Sequence, residues 1–275
     1  LPLNRIKEVN KLANYVHTCP PSAGWDWLMQ GVQLFRSKPG EMFLFGNTYL
    51  FIILFIGILI PFIGAAAVAV ASPALGFGIM LAGKMGQKGL RVSPSVLFNA
   101  FNQDNRKHLQ SLLILGAIYT ACFALIRLLA HLVLGAQPAV SIDDLQKADA
   151  ATSAAFMEYM VLYMIFIGIT SIPVLLAFWF APVLVVWHNM KPMQALFSSW
   201  VAVWRNKGSF LIYGMGWLVL GLGFSSVFVV LLTLLGLPAA FVSALNMMCV
   251  ALVMAVSLCT FYPTYKAVFE HDPTE

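Results

Sequence analysis

Two stretches of this chain carry no charged residue: 42 residues from Met42 to Gly83 and 58 residues from Gly208 to Tyr265. A helix crossing a bilayer needs about 20 predominantly apolar residues, so each stretch accommodates two crossings joined by a tight turn. Soluble domains are about 45–50% apolar and about 25% charged. This chain is 60% hydrophobic and 10% charged, with a mean hydropathy of +0.85. The sequence therefore predicts an all-α transmembrane protein and excludes a water-soluble enzyme.

Six spans are expected, at about Met42–Phe62, Ile63–Gly83, Leu109–Leu134, Phe156–Trp187, Ser209–Leu234 and Pro238–Tyr265. Turns fall at Pro61–Gly64 and Gly236–Pro238. A leader, residues 1–21, precedes a single six-span domain over 22–275. The first forty residues lack the short apolar run and small-residue cleavage site of a secretory signal peptide. Orientation follows from the basic residues, which concentrate on the cytoplasmic side of membrane proteins. Arg5, Lys7, Lys11, Arg36 and Lys38 precede span one, and Lys84, Lys88, Arg91, Arg106 and Lys107 lie between spans two and three. Lys191, Arg205 and Lys207 follow span four, and Lys266 lies in the tail, whereas the opposite loops hold only Lys147. Both termini are expected in the cytoplasm. The one long outer loop, about Gly135 to Ala155, is acidic, with Asp143, Asp144 and Asp149. The net charge of +5 is thus explained by topology, and no nucleic-acid partner is expected.

The chain also repeats a pattern three times, over about 22–83, 93–187 and 191–266. Each copy has a short amphipathic stretch with Leu-Phe, then basic residues, then a glycine inside the next span. These are Leu34–Phe35, Arg36, Lys38 and Gly46; Leu97–Phe98, Arg106, Lys107 and Gly116; and Leu196–Phe197, Arg205, Lys207 and Gly214. Even spans add Pro73, Pro182 and Pro263. In the first stretch Trp25, Leu28, Met29, Val32 and Phe35 share one helix face, as Met193, Leu196, Phe197, Trp200 and Trp204 do in the third. Ser93–Pro94 reads as a helix start in the second. Three tandem units follow, each an interfacial helix plus a transmembrane hairpin. Trp25, Trp27, Phe35, Arg36, Lys38, Trp200, Trp204, Arg205 and Lys207 are the expected interfacial contacts to anionic lipids or to a membrane-protein partner. The mitochondrial carriers share six spans and threefold repetition, but the residues after Pro73 lack the charges of their signature.

Ionisable groups inside spans are the default candidates for chemistry. Arg127 and His131 stand at i and i+4 in span three, about 27 Å along it at 1.5 Å per residue. Glu158 begins span four at the same outer level. The three read as an ion pair closing the bundle or as a proton- or anion-handling site. His188 beside Trp187 reads as interfacial, since His131 lies at the opposite depth and the two cannot share a haem iron. The cysteines Cys19, Cys122, Cys249 and Cys259 lack metal spacing. The span-five glycines Gly214, Gly216, Gly221 and Gly223 suit close packing. Thr170, Ser171, Ser225, Ser226 and Ser257 are the few weakly polar residues at mid-depth. No nucleophile elbow, P-loop or HExxH pattern occurs, so neither catalytic residue, cofactor nor metal is expected.

The run Phe178-Trp179-Phe180-Ala181-Pro182-Val183-Leu184-Val185-Val186-Trp187-His188, continued through Lys191-Pro192, Leu196-Phe197 and Trp204-Arg205-Asn206-Lys207 to Phe210-Leu211-Ile212-Tyr213-Gly214, resembles a family of uncharacterised polytopic inner-membrane proteins of proteobacteria, common in the beta group. Gly24-Trp25, Gly31, Leu34-Phe35, Pro39 and Ser93-Pro94-Ser95-Val96-Leu97 extend the resemblance over about 22–270. It implies a bacterial inner-membrane location and no defined activity. The residues favour a non-catalytic accessory or partner-binding subunit of a membrane assembly. The alternative is a transporter or lipid-handling protein with a ligand space between the hairpins; an intramembrane enzyme ranks last.

Overall fold

In a computed structural model the chain is described over residues 16–59, 63–135 and 150–270. Helix α1, Ala23–Ser37, runs almost directly into α2, Pro39–Leu59, and α3, Ile63–Gln87, completes the first hairpin. A 3-10 segment, Pro94–Phe101, leads to α4, Arg106–Leu134. The second hairpin returns through α5, Ala150–Phe178, and α6, Ala181–Trp187. Next come α7, Pro192–Arg205, and α8, Lys207–Trp217, then a π-helical stretch, Leu218–Gly223, and α9, Phe224–Leu234. Helices α10, Ala239–Cys259, and α11, Phe261–Phe269, close the fold. Six helical stretches are long and apolar enough to cross a membrane, and no described residue lies in a strand. The turn at Pro61, the acidic loop with Asp143, Asp144, Lys147 and Asp149, and leader residues 1–15 lie outside the described residues.

The three stretches before the odd spans differ in form. The second is a 3-10 helix rather than an amphipathic α-helix, and it buries Val96, Leu97 and Ala100 while Phe98 and Phe101 stay exposed. In α1 the buried face is Gly24, Trp27, Leu28, Gly31 and Leu34, since glycine lets backbones approach where a side chain would not, and Trp25 of the expected interfacial stripe stays exposed. A Cβ on Gly31 would collide with Thr260. In α7 the small residues Ala195, Ser198, Ser199 and Ala202 pack inward, so Met193, Phe197 and Trp204 face out.

The even-span prolines interrupt the backbone ladder in three ways. Proline has no N–H and leaves the carbonyl four residues back unpaired. In α3 the Ser72 hydroxyl donates to that carbonyl, Ala69, at 2.8 Å, and the helix runs on through Pro73. Span four breaks before Pro182 at Trp179–Phe180. There the buried Ser199 hydroxyl accepts from the Phe180 N–H and donates to the Leu176 carbonyl, both at 2.9 Å. It occupies the place of the missing helical bond. Span six breaks at Thr260, before Pro263, where Thr260 pairs with the Tyr213 hydroxyl at 2.8 Å.

The core lies at the basic end of the bundle. Trp27, Leu28, Phe77, Phe180, Leu184 and Val203 are almost fully buried there. Trp27 meets Phe210 edge-on at 5.1 Å, an arrangement worth about 0.5–1.5 kcal/mol beyond its buried area. Residues 16–21 join this core: the buried Asn206 side chain donates to the His17 carbonyl at 2.9 Å and accepts from the Cys19 N–H at 2.7 Å. The glycine of the repeat packs closely in two copies. A Cβ on Gly46 would come within 2.7 Å of Ala255, and one on Gly116 would strike the Val70 carbonyl. Around Gly214, Gly223 and most of Gly221 the space is open, so the expectation of tight packing through the span-five glycines fails apart from Gly216, which faces Leu28.

Candidate functional site

Arg127, His131 and Glu158 are all exposed on α4 and α5. Among the described residues no ion pair joins them, so the closing ion pair expected from sequence does not form there.

The expected interfacial contacts divide. Trp25, Arg36, Trp204, Arg205 and Lys207 are exposed, with Phe35 and Trp200 half-buried. Trp200 stacks on Trp204 at 6.2 Å, and the Lys207 ammonium sits 5.2 Å from the Trp204 ring centre. Trp27 is a correction: it is 1% exposed and belongs to the core. Lys38 is another, since its Nζ donates to the Gly89 and Leu90 carbonyls at 2.8 and 2.6 Å. Its neighbour Glu41 takes the Val92 N–H at 2.7 Å, so the pair staples the loop before the 3-10 segment and does not reach outward.

A cleft of about 370 Å³ opens among all three hairpins. The first contributes Tyr49, Ser72, Pro73, Gly76, Ile79 and Met80; the second Tyr119, Leu175, Phe178, Trp179, Pro182 and Val183; the third Met254, Ser257, Leu258 and Phe261. At 1.5 Å per residue Tyr49 stands about 15 Å along α2, and Tyr119 about 20 Å along α4. In a hydrocarbon layer about 30 Å thick that is mid-depth. The broken ladder at Trp179–Phe180 and the proline at position 73 shape this wall, as interrupted helices do where they line a binding space. No charged side chain lines the cleft. Of the weakly polar residues expected at mid-depth, only Ser257 lines it; Thr170 and Ser171 are bonded to carbonyls of their own helix, Phe166 and Gly168.

Just beyond the cleft, toward the basic end, the three even spans are knotted together by polar groups. Lys84 meets the Glu270 carboxylate at 3.0 Å and lies 4.5 Å from the Trp187 ring centre. The Tyr262 hydroxyl donates to the other Glu270 oxygen at 2.8 Å. His188 Nε2 shares a 2.8 Å hydrogen bond with the Tyr265 hydroxyl. Burial is the largest influence on the His188 imidazole and lowers its pKa; Glu270 opposes this and Lys84 adds to it. Burial thus favours the neutral ring, whose Nε2 accepts from or donates to the Tyr265 hydroxyl according to its tautomer. Sequence reasoning missed this knot and the two tyrosines of the cleft. Tyrosine concentrates at membrane interfaces, so Tyr49 and Tyr119 at mid-span were the available signal.

Six apolar crossings, an all-helical fold and a wall of broken helices define a polytopic membrane protein. The chain is 32% identical over 246 residues to a protein of Burkholderia thailandensis described as a probable inner membrane protein, with 90% of each chain covered. It belongs to that family of inner-membrane proteins. No protein-family model matches the chain, and no solved structure matches it.

Proposed function

We propose that this inner-membrane protein is a non-catalytic handler of an apolar, lipid-soluble ligand held in the cleft between the hairpins, with both termini in the cytoplasm. The observation that carries the reading is the cleft itself, about 370 Å³ and lined by all three hairpins. That volume lies at the lower end of ligand pockets, which run from about 300 to 1,000 Å³. An uncharged wall favours an uncharged ligand, because a charge at this depth costs several kcal/mol, about 3 on insertion scales.

Native mass spectrometry of the protein released gently from its own membranes tests the reading. A lipid-soluble small molecule retained by the wild type and lost from Gly76→Leu is the expected result. A Cβ at Gly76 meets only the Pro182 Cγ, in ordinary contact at 3.8 Å, so the leucine side chain starts without a clash and extends into the cleft. The rival reading, an accessory subunit, draws on the exposed row Met193, Phe197 and Trp204 on α7. A stoichiometric protein partner with no small molecule retained would favour it and overturn ours.

A further inference from the structure

We infer that the ligand is an uncharged amphiphile whose polar end is a carbonyl-type hydrogen-bond acceptor, received by the hydroxyls of Tyr49 and Tyr119. The inference rests on the cleft reading above and goes further by naming the ligand's chemistry.

The hydrogen-bonding groups of the cleft are mostly spent. The Ser72 hydroxyl donates to the Ala69 carbonyl and the Ser257 hydroxyl to the Met254 carbonyl, at 2.8 and 2.7 Å. The Trp179 indole donates to the Thr264 hydroxyl at 3.1 Å. Tyr49 and Tyr119 alone among these polar side chains make no hydrogen bond to any described residue. They come from different hairpins, on α2 and α4, and open into one space. A phenol donor at mid-membrane depth has no water to satisfy it, and an unsatisfied polar group in hydrocarbon is costly. A phenol can both donate and accept, but its proton is the part that has no partner here, and the complement of an unplaced proton is an acceptor. With no lysine, arginine or histidine in the wall, a phosphate or carboxylate would find no counter-charge. Tyr119 is also fixed in place, its ring edge-on to Phe178 at 5.1 Å and against Phe123 at 4.6 Å. The ring is thus held before a ligand arrives, which lowers the ordering cost of binding. A cleft of about 370 Å³ encloses a ring or the carbonyl end of a chain, leaving a longer tail to run out between the spans.

Two kinds of membrane molecule share this chemistry: a quinone, through its ring carbonyls, and a neutral acyl lipid, through its ester carbonyls. The test is a binding titration in lipid nanodiscs, read by native mass spectrometry. The probes are a short-chain benzoquinone, dioctanoylglycerol, a phosphatidylglycerol of equal chain length and a plain hydrocarbon. Wild type is compared with Tyr49→Phe, Tyr119→Phe, the double variant and Gly76→Leu. Saturable binding of the quinone or of the diacylglycerol is expected, and which one binds identifies the source. Each Phe substitution should weaken it about fivefold, the worth of one net hydrogen bond, and leave the hydrocarbon unchanged. Equal binding to wild type and the double variant, with loss in Gly76→Leu, overturns the carbonyl inference and leaves the cleft reading standing. Preference for phosphatidylglycerol overturns it likewise. Unchanged binding in Gly76→Leu overturns the cleft reading and the inference together.

Discussion

The two ends of the bundle are built on different principles. At the basic end Phe180, Leu184, Ser199 and Thr264 are fully buried and Asn206 nearly so, and hydrogen bonds tie the end of α5, α7, α8, α11 and residues 16–21 into one block. At the other end Leu59, Leu132, Met164, Leu234 and Met247 are exposed, α9 buries no residue, and the hydroxyls of Thr233 and Ser243 bond only to carbonyls of their own helices. Lipid tails are as apolar as leucine, so a helix gains little from burying leucine against its neighbour. What holds helices together in a membrane is close packing and satisfied polar groups; the cross-chain polar bonds concentrate at the basic end, while a close backbone approach also occurs at Gly64 against Ile56 near the outer turn. The cleft lies beside this buried block, lined by all three hairpins.

The largest effect should come from closing the space between backbones at a point of close approach. Gly116→Leu, against the Val70 carbonyl, should cost about 3 kcal/mol or more and remove most folded protein in SDS-driven unfolding. Gly214→Ala, where the space is open, should stay within about 1 kcal/mol of wild type. Equal effects would break the contrast between the first two copies of the repeat and the third. Ser199→Ala comes next. It orphans the Phe180 N–H and the Leu176 carbonyl, for about 2 kcal/mol in the same assay.

These contrasts also mark how far the sequence could be read. The six crossings were legible because uncharged runs of this length have one use in a protein. The breaks at Trp179–Phe180 and Thr260 fall beside the prolines at 182 and 263, which were visible, but that Ser199 would fill one of them was not. A bond between residues 19 positions apart leaves no local periodicity. The aromatic stripe of α7 was legible and faces out, with Met193, Phe197 and Trp204 exposed, whereas in α1 Trp25 faces out and Trp27, expected beside it, is buried. The spacing of large apolar residues finds the bulky side of a helix, and in a membrane the bulky side faces lipid while glycine, alanine and serine face protein. Arg127, His131 and Glu158 attracted notice by charge alone, yet the cleft is made by neutral phenols that charge-based reading passes over.

Acid should act on the basic end and leave the other untouched. The His188 imidazole is held below its ordinary value by burial, so the unfolded chain binds its proton more readily than the folded one. Its contribution is complete above about pH 6.5, the ordinary imidazole value, and is lost as pH falls below that. SDS unfolding between pH 7.5 and 5 should show stability declining toward acid, and His188→Gln should flatten the slope. The smallest effects belong to the far end. Thr233→Ala and Ser243→Ala should each change stability by less than about 0.5 kcal/mol. A cost like that of Ser199→Ala at either site would mean that the far end is packed through polar contacts as well.

The cleft between the hairpins is the central claim, and an experimental map of the protein in nanodiscs of its native lipids tests it most directly. The account predicts elongated non-protein density among Ser72, Phe178 and Ser257, with its polar end against the Tyr49 and Tyr119 hydroxyls. Spans two, four and six closed on one another, with Tyr49 and Tyr119 packed against protein and no density between them, would contradict it.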